Sequence, residues 1–162
     1  MSATGPSGAR SVDAIDLLRT DHAEIDTLFR DYHALAEGGA DAGDRRSLST
    51  RICGLVAVHS MIEEEIFYPA AQQAGVDAAL VQEAAVEHRA AKDLIFRIGE
   101  SRPSDSDYDA KVKVLREYVA LHVAEEEEEL FAECRKTDLD LQQIGARLQR
   151  RKEQLMRKLT RR

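Results

Sequence analysis

The 162-residue sequence contains no tryptophan, four phenylalanines, four tyrosines, three prolines and two cysteines. β-Branched and aromatic runs with two-residue alternation are missing, so no segment reads as a strand. Cys53 and Cys134 lie within helical patterns and do not form the disulfide framework of a small secreted domain. No apolar run is long enough to span a bilayer, and no charged-apolar-small leader opens the chain. A cytoplasmic protein with no membrane span is therefore expected. The net charge of -7 argues against nucleic acid as a partner, since phosphate binding needs a basic footprint. No Gly-rich phosphate loop, Cys-x-x-Cys pair or nucleophile with an aligned base is present.

Ala, Leu, Glu, Arg and Asp dominate instead, a composition that favours helix because straight-chain residues lose little rotamer freedom there. Residues 1–11, small and polar with Gly, Ser and Pro, read as disordered. A first helix is expected over residues 12–37, with Ile15, Leu18, Ile25, Leu28, Phe29, Tyr32 and Leu35 on one side. Gly38, Gly39 and Gly43 separate it from a second helix over residues 44–73, whose last turn Pro69 should kink. Asp77 can cap a third helix reaching about Gly99, and a fourth follows the SRPSDSD turn over residues 108–136. Thr137 offers a cap for a short, basic, amphipathic fifth helix. The expected fold is all-α: an antiparallel four-helix bundle over residues 12–136 with an additional C-terminal helix over residues 137–162.

The second half echoes the first. TDHAEIDTLF around His22 is answered by VEHRAAKDLIF around His88, and VHSMIEEEIFYP around His59 by LHVAEEEEELFAE around His122. Each half places a lone His on one helix and His-x-x-x-Glu on the next. Residues four apart share a helix face, so His59 and Glu63 point together, as do His122 and Glu126. Each of these histidines also falls inside its helix's apolar stripe. Buried polar groups must be paired, and buried charges nearly always meet an opposite charge or a metal. The candidate metal ligands are thus His22, His59, Glu63, His88, His122 and Glu126, around two ions. Nitrogen and oxygen donors without thiolate suit iron or manganese better than a closed structural zinc site.

A single core His is ordinarily a hydrogen-bonded structural residue, and acidic helices produce His-x-x-x-Glu by chance. The repeat, with its glutamates in register, sets this pattern apart. Tyr118, four residues before His122, is placed toward the same layer as a ligand or as a hydrogen-bonding neighbour of the ligands, against the ordinary reading of a core tyrosine. His33 lies about three turns beyond His22, too far to share one centre. Cys53 and Cys134 read as core thiols, reactive only if a thiolate is stabilised. The basic stretch carrying Arg147, Arg150, Arg151, Lys152, Arg157 and Lys158 is expected to pack on the acidic body or a dimer partner, with an anionic membrane or acidic protein as the other reading.

On the set His22, His59-x-x-x-Glu63, His88 and His122-x-x-x-Glu126, with Asp-His-x-x-Ile before Leu28-Phe29 and Glu-Glu-x-x-Phe-Tyr-Pro ending at Pro69, the chain resembles the hemerythrin-like (His-His-Glu cation-binding) family over residues 13–134. The resemblance implies an oxygen-bridged di-iron centre, with hydrogen peroxide, oxygen or nitric oxide as the small-molecule partner, in a monomer or weak homodimer. Oxygen-carrying members place a second His four residues after the third-helix His and end on His-x-x-x-x-Asp. Here Lys92 and the His122–Glu126 pair stand instead. A shell richer in carboxylate disfavours reversible oxygen carriage. It favours reaction with peroxide, oxygen or nitric oxide, and the resemblance to bacterial members with this ligand pattern implies catalase-like decomposition of peroxide, with gas sensing or iron handling as alternatives on the same ligands.

Overall fold

The structure, a computed structural model, describes residues 12–161. The expected disordered segment, residues 1–11, lies outside them. Among the described residues everything regular is helical. Helix α1 (Ala14–Glu37) starts on Asp13, whose carboxylate accepts the Ile15 amide at 2.8 Å. Helix α2 (Ala42–Ile62) runs through a π-helical turn (Glu63–Phe67) into α3 (Tyr68–Gln73). Gly75, at φ +93°, turns the chain out of α3 in a conformation other residues rarely adopt. Helix α4 (Ala78–Glu100) is capped by Asp77. Helix α5 (Tyr108–Glu125) passes through a second π turn (Glu126–Leu130) into α6 (Phe131–Arg135). These form the four rods of a bundle. Helix α7 (Leu141–Thr160) lies along α1, α2 and the first π turn.

Two sequence expectations change in detail. Helix α7 begins four residues later than Thr137, because Asp140 is the cap, accepting the Gln143 amide at 3.0 Å. Thr137 instead closes the end of α6, donating its hydroxyl to Cys134 at 2.7 Å. Pro69 does not break its helix. The π turn precedes it and Pro69 falls in the first turn of α3, where a missing N–H is tolerated. The other π turn holds no proline, so proline is not the common cause. Both turns start at the Glu of His-x-x-x-Glu, and in each the amide five residues on returns to that Glu's carbonyl. Isolated π turns of this kind are frequent at functional sites.

The core divides in two along the rods. One cluster, at the α7 end, gathers Ile15, Leu18, Phe67, Phe131, Ile144 and Leu148. The other gathers Ile25, Phe29, Ile52, Tyr108, Val112 and Leu115. Each rod crosses from one cluster to the other, and the crossing point carries the buried polar residues. The docking of α7 requires Gly145. A Cβ there would stand 1.9 Å from the Val12 carbonyl oxygen, a contact only backbone movement would relieve.

Candidate metal centre

At the crossing, α1 contributes His22, α2 His59, α4 His88 and α5 His122, while the two π turns contribute Glu63 and Glu126. All six are buried, with Glu63 fully inaccessible. The histidines form two pairs. Nε2 of His22 lies 3.0 Å from Nε2 of His59, and Nε2 of His88 lies 3.1 Å from Nε2 of His122. Glu63 stands between the pairs, one oxygen 3.1 Å from His59 and the other 3.1 Å from His88. Glu126 does likewise, its Oε2 3.3 Å from His22 and 3.6 Å from His122. Ligand atoms of His22, His59, Glu63 and Glu126 fall within 4.8 Å of one another, as do those of Glu63, His88 and His122.

Every imidazole faces the centre with Nε2 because Nδ1–H is committed elsewhere. His22 donates to Glu127 at 2.8 Å, His59 to Asp21 at 3.3 Å, His88 to Glu64 at 2.9 Å and His122 to Glu87 at 2.6 Å. The arrangement follows the repeat. The residue before each lone His (Asp21, Glu87) serves the neighbouring His, and the residue after each core Glu (Glu64, Glu127) serves the lone His. Such acceptors fix the tautomer and raise the basicity of the inward nitrogen. Lysines back two of the four: Lys92 contacts both Glu64 oxygens at 2.8 and 2.7 Å, and Lys152 of α7 contacts Asp21.

The inward groups therefore meet as acceptors. Glu63 Oε1 and Glu126 Oε2 are buried without a hydrogen-bond partner although imidazole nitrogens stand close by. Such orphans cost about 1–3 kcal/mol each, more when charged, unless a cation or proton intervenes. Without a cation, protons fill that role. Burial opposes charge on His59, yet Glu63 and the hydrogen bonds to Asp21 and Glu63 outweigh it and raise its pKa to about 10. Burial likewise opposes charge on His88, and Glu63 and Glu64 overcome it, raising its pKa. Glu63 is held well below the carboxylate range, because His59 and His88 outweigh its burial. Glu126 is pushed up by burial and by Glu63, while burial lowers His122. The donors fit cations: two pairs of imidazole lone pairs share two carboxylates, and the orphaned oxygens point at the same space.

The tyrosine in hydrogen-bonding contact with these residues is Tyr68, which the sequence reading did not single out. The Tyr68 hydroxyl lies 3.0 Å from Glu126 Oε1 and 3.2 Å from both Glu63 Oε2 and His88 Nε2. Burial, then Glu63 and Glu126, raise its pKa well above the ordinary value, so it stays a neutral phenol. Five positions beyond Glu63 would lie about 140° round a regular α-helix. The extra residue of the π turn brings Tyr68 back onto the inner face, and uniform helical spacing does not anticipate it. Its repeat equivalent, Phe131, stacks on His22 with ring centroids 6.0 Å apart. Tyr118 is 46 % exposed. Four residues from His122 leaves it about 40° off the inward direction. It lines, with the four histidines, a cavity of about 20 Å³. His33 is exposed at the far end of α1, 3.2 Å from Glu37. Burial raises the thiols of Cys53 to about 11 and Cys134 to about 12, which leaves neither as a thiolate near neutrality.

A four-helix bundle with paired His-x-x-x-Glu motifs and lone histidines converging between two apolar layers defines a cation-binding helical domain. The sequence matches the family model described as hemerythrin HHE cation binding domain over residues 13–134, and the chain belongs to that family. It is also similar in structure to a hemerythrin HHE cation-binding domain-containing protein from Mycobacterium kansasii. That likeness has a TM-score of 0.73 and 25 % identity, and covers 89 % of this chain and 87 % of the other. Among curated proteins none matches. No described helix is long and apolar enough to cross a membrane.

Proposed function

We propose that His22, His59, Glu63, His88, His122 and Glu126 hold two iron ions, and that the centre decomposes hydrogen peroxide in a catalase-like reaction. Two peroxides give two waters and one dioxygen, so no external reductant is needed. The observation that carries the metal reading is the pair of buried, orphaned carboxylates shared by two imidazole pairs. The nitrogen separations of 3.0 and 3.1 Å support the choice of metal. A cation ~2.1 Å from both nitrogens of a pair would see them at roughly a right angle, which suits an octahedral ion better than tetrahedral zinc.

Such an ion pair, when bound, supplies the positive charge and the electrons for binding peroxide and breaking its oxygen–oxygen bond. The chain's own groups do the rest. The four Nδ1 acceptors hold the rings in place, and Tyr68 presents a neutral hydroxyl between Glu63, Glu126 and His88, where it can donate to an anionic oxygen. Ile25, Val56, Val119 and Val123, together with Ser60, Glu87 and Tyr118, line the cavity of about 20 Å³ beside the histidines, room for one molecule of about the size of water.

The test is protein purified without chelator from iron-replete cells. Two irons per chain with ferric near-ultraviolet bands, and sustained oxygen release on adding peroxide, are expected. Iron without turnover would overturn the peroxide reading and leave the cation site; folded protein that takes up no metal would overturn both. A second reading, sensing of a small oxidant or gas, is favoured by one contact: Lys152 ties α7 to Asp21 and through it to His59. On that reading, protease cleavage within α7 changes with the state of the centre.

A further inference from the structure

The two sides of the bundle are covered differently. On the α1–α2 side, Leu55 and Val58 are buried beside Lys152 of α7. There Lys152 meets Asp21, and Arg151 meets both oxygens of Glu65 at 2.6 and 3.0 Å. The repeat gives the α4–α5 side the same positions: Tyr118 for Leu55, Leu121 for Val58, Glu87 for Asp21 and Glu128 for Glu65. No described helix lies over them. Leu121 is 57 % exposed where Val58 is 3 % exposed, and Tyr118 and Val114 are open as well.

Val114, Tyr118, Leu121 and Glu125 recur at four- and three-residue spacing and form one line along α5. Past Glu125 the π turn adds a residue, so Glu129 continues the line, and Glu83 of α4 borders it. An exposed strip of this kind is ordinarily solvated. The repeat shows what is missing here, since the matching strip is covered by α7. The cover must also be more cationic than the inner face of α7, because Glu83, Glu125 and Glu129 stand where Leu17, Ile62 and Ile66 pack beneath it.

The outer flank of α7 has that character. The helix turns Ile144, Leu148 and Leu155 to the body, while Arg147, Arg150, Arg157 and Arg161 are exposed in a second line with the same spacing. Among the described residues none of these arginines has a carboxylate partner, and none of Glu83, Glu125 and Glu129 is paired with Lys or Arg. Residues 147–161 and 114–129 each cover about 20 Å of helix, so the lines match in length. An arginine stem can cover Leu121 or Val114 while its guanidinium stacks on the Tyr118 ring or meets a carboxylate.

We propose that the α4–α5 face receives the outer flank of α7 from a second copy of this chain. Helix α7 lies along α1 and α2, so the two surfaces are on opposite sides of the bundle. The contact is therefore head-to-tail and leaves one free surface at each end. A helix laid on a helix pair buries about 1,000 Å² or less, and much of the attraction is between exposed charges. Association is thus weak, concentration-dependent and lost in salt.

The test is sedimentation velocity of the full-length protein at about 0.1 mM, in about 20 mM and about 300 mM salt. Dimers and longer chains are expected at low salt and monomer at high salt. Arg150→Glu/Arg157→Glu and Glu83→Lys/Glu129→Lys are each expected to stay monomeric in both, with circular dichroism checking the fold. Mixed in equal amounts they should associate again, because each supplies the surface the other has lost. Wild-type monomer at low salt would overturn the proposal, as would association that either variant leaves intact or that mixing does not restore. If that wild-type monomer binds phosphatidylglycerol vesicles and Arg150→Glu/Arg157→Glu does not, the arginine line serves a lipid surface instead.

Discussion

The α1–α2 half and the α4–α5 half carry the same buried histidines and glutamates at the same repeat positions, yet they differ in what surrounds them. In the first half Asp21 is buried and backed by Lys152, and α7 seals Leu17 and Ile62. In the second half the equivalent acceptor, Glu87, borders an open acidic groove, and Leu121 is exposed where its equivalent, Val58, is buried. At the aromatic position after each π turn one half has the hydroxyl of Tyr68 and the other the bare ring of Phe131. The two halves thus repeat one set of inward residues while their outer faces differ, because the inward geometry depends on helix spacing and the outer faces depend on what covers them.

The largest effect should come from a residue that faces both halves, as Glu63 and Glu126 do. Glu63→Ala removes a carboxylate facing both imidazole pairs and is expected to empty the whole centre. His22→Ala and His88→Ala should each weaken mainly their own pair, which metal analysis of the purified variants checks. If Glu63→Ala retains the full complement, the carboxylate is not shared and the comparison fails.

Coverage by α7 should show in stability. Leu148→Ala in the core under α7 is expected to cost ~3 kcal/mol, while Leu121→Ala on the open half stays within about 0.5 kcal/mol. Denaturant unfolding of the metal-free variants measures both.

The acceptors should follow. Asp21→Asn and Glu87→Gln each replace the charged acceptor of an imidazole Nδ1–H with a neutral amide and are expected to weaken cation binding ~10- to 100-fold. Asp21→Asn also leaves Lys152 without its counter-charge, so it alone should loosen α7 in limited proteolysis. Equal loosening by Glu87→Gln would break the distinction between the halves.

The smallest effect is graded by pH. His59 in the metal-free protein has its pKa raised to about 10. A folded pKa above the unfolded one contributes stability that is fully present below about 6.5 and is lost as pH rises through about 10. Thermal unfolding of metal-free protein should therefore fall across that window, and the loaded protein, with cations in place of protons, should change less. Cation binding must displace those protons, so affinity should rise with pH, up to about tenfold per unit for each proton released. A pH-independent affinity would mean the metal-free histidines are neutral.

The sequence by itself determined the helices, the inward histidines and glutamates and the repeat. Four-residue spacing puts His59 with Glu63 and His122 with Glu126 whatever the rest of the chain does, and apolar stripes decide which face turns inward. The carboxylate acceptors were visible only as acidic residues beside ligands. Their role depends on the neighbouring helix, since Asp21 serves His59 and Glu87 serves His122 across a helix pair. Tyr68 was masked because local backbone geometry breaks the 3.6-residue period at Glu63, while Tyr118, about 40° from His122 on the side away from Glu126, is 46 % exposed. Only the tertiary structure decided that Lys152, far along the chain from Asp21, reaches it, and that the glutamates of the other half stay open. Such contacts depend on where α7 docks, and Gly145 permits that docking through a backbone approach that no periodicity in the sequence encodes.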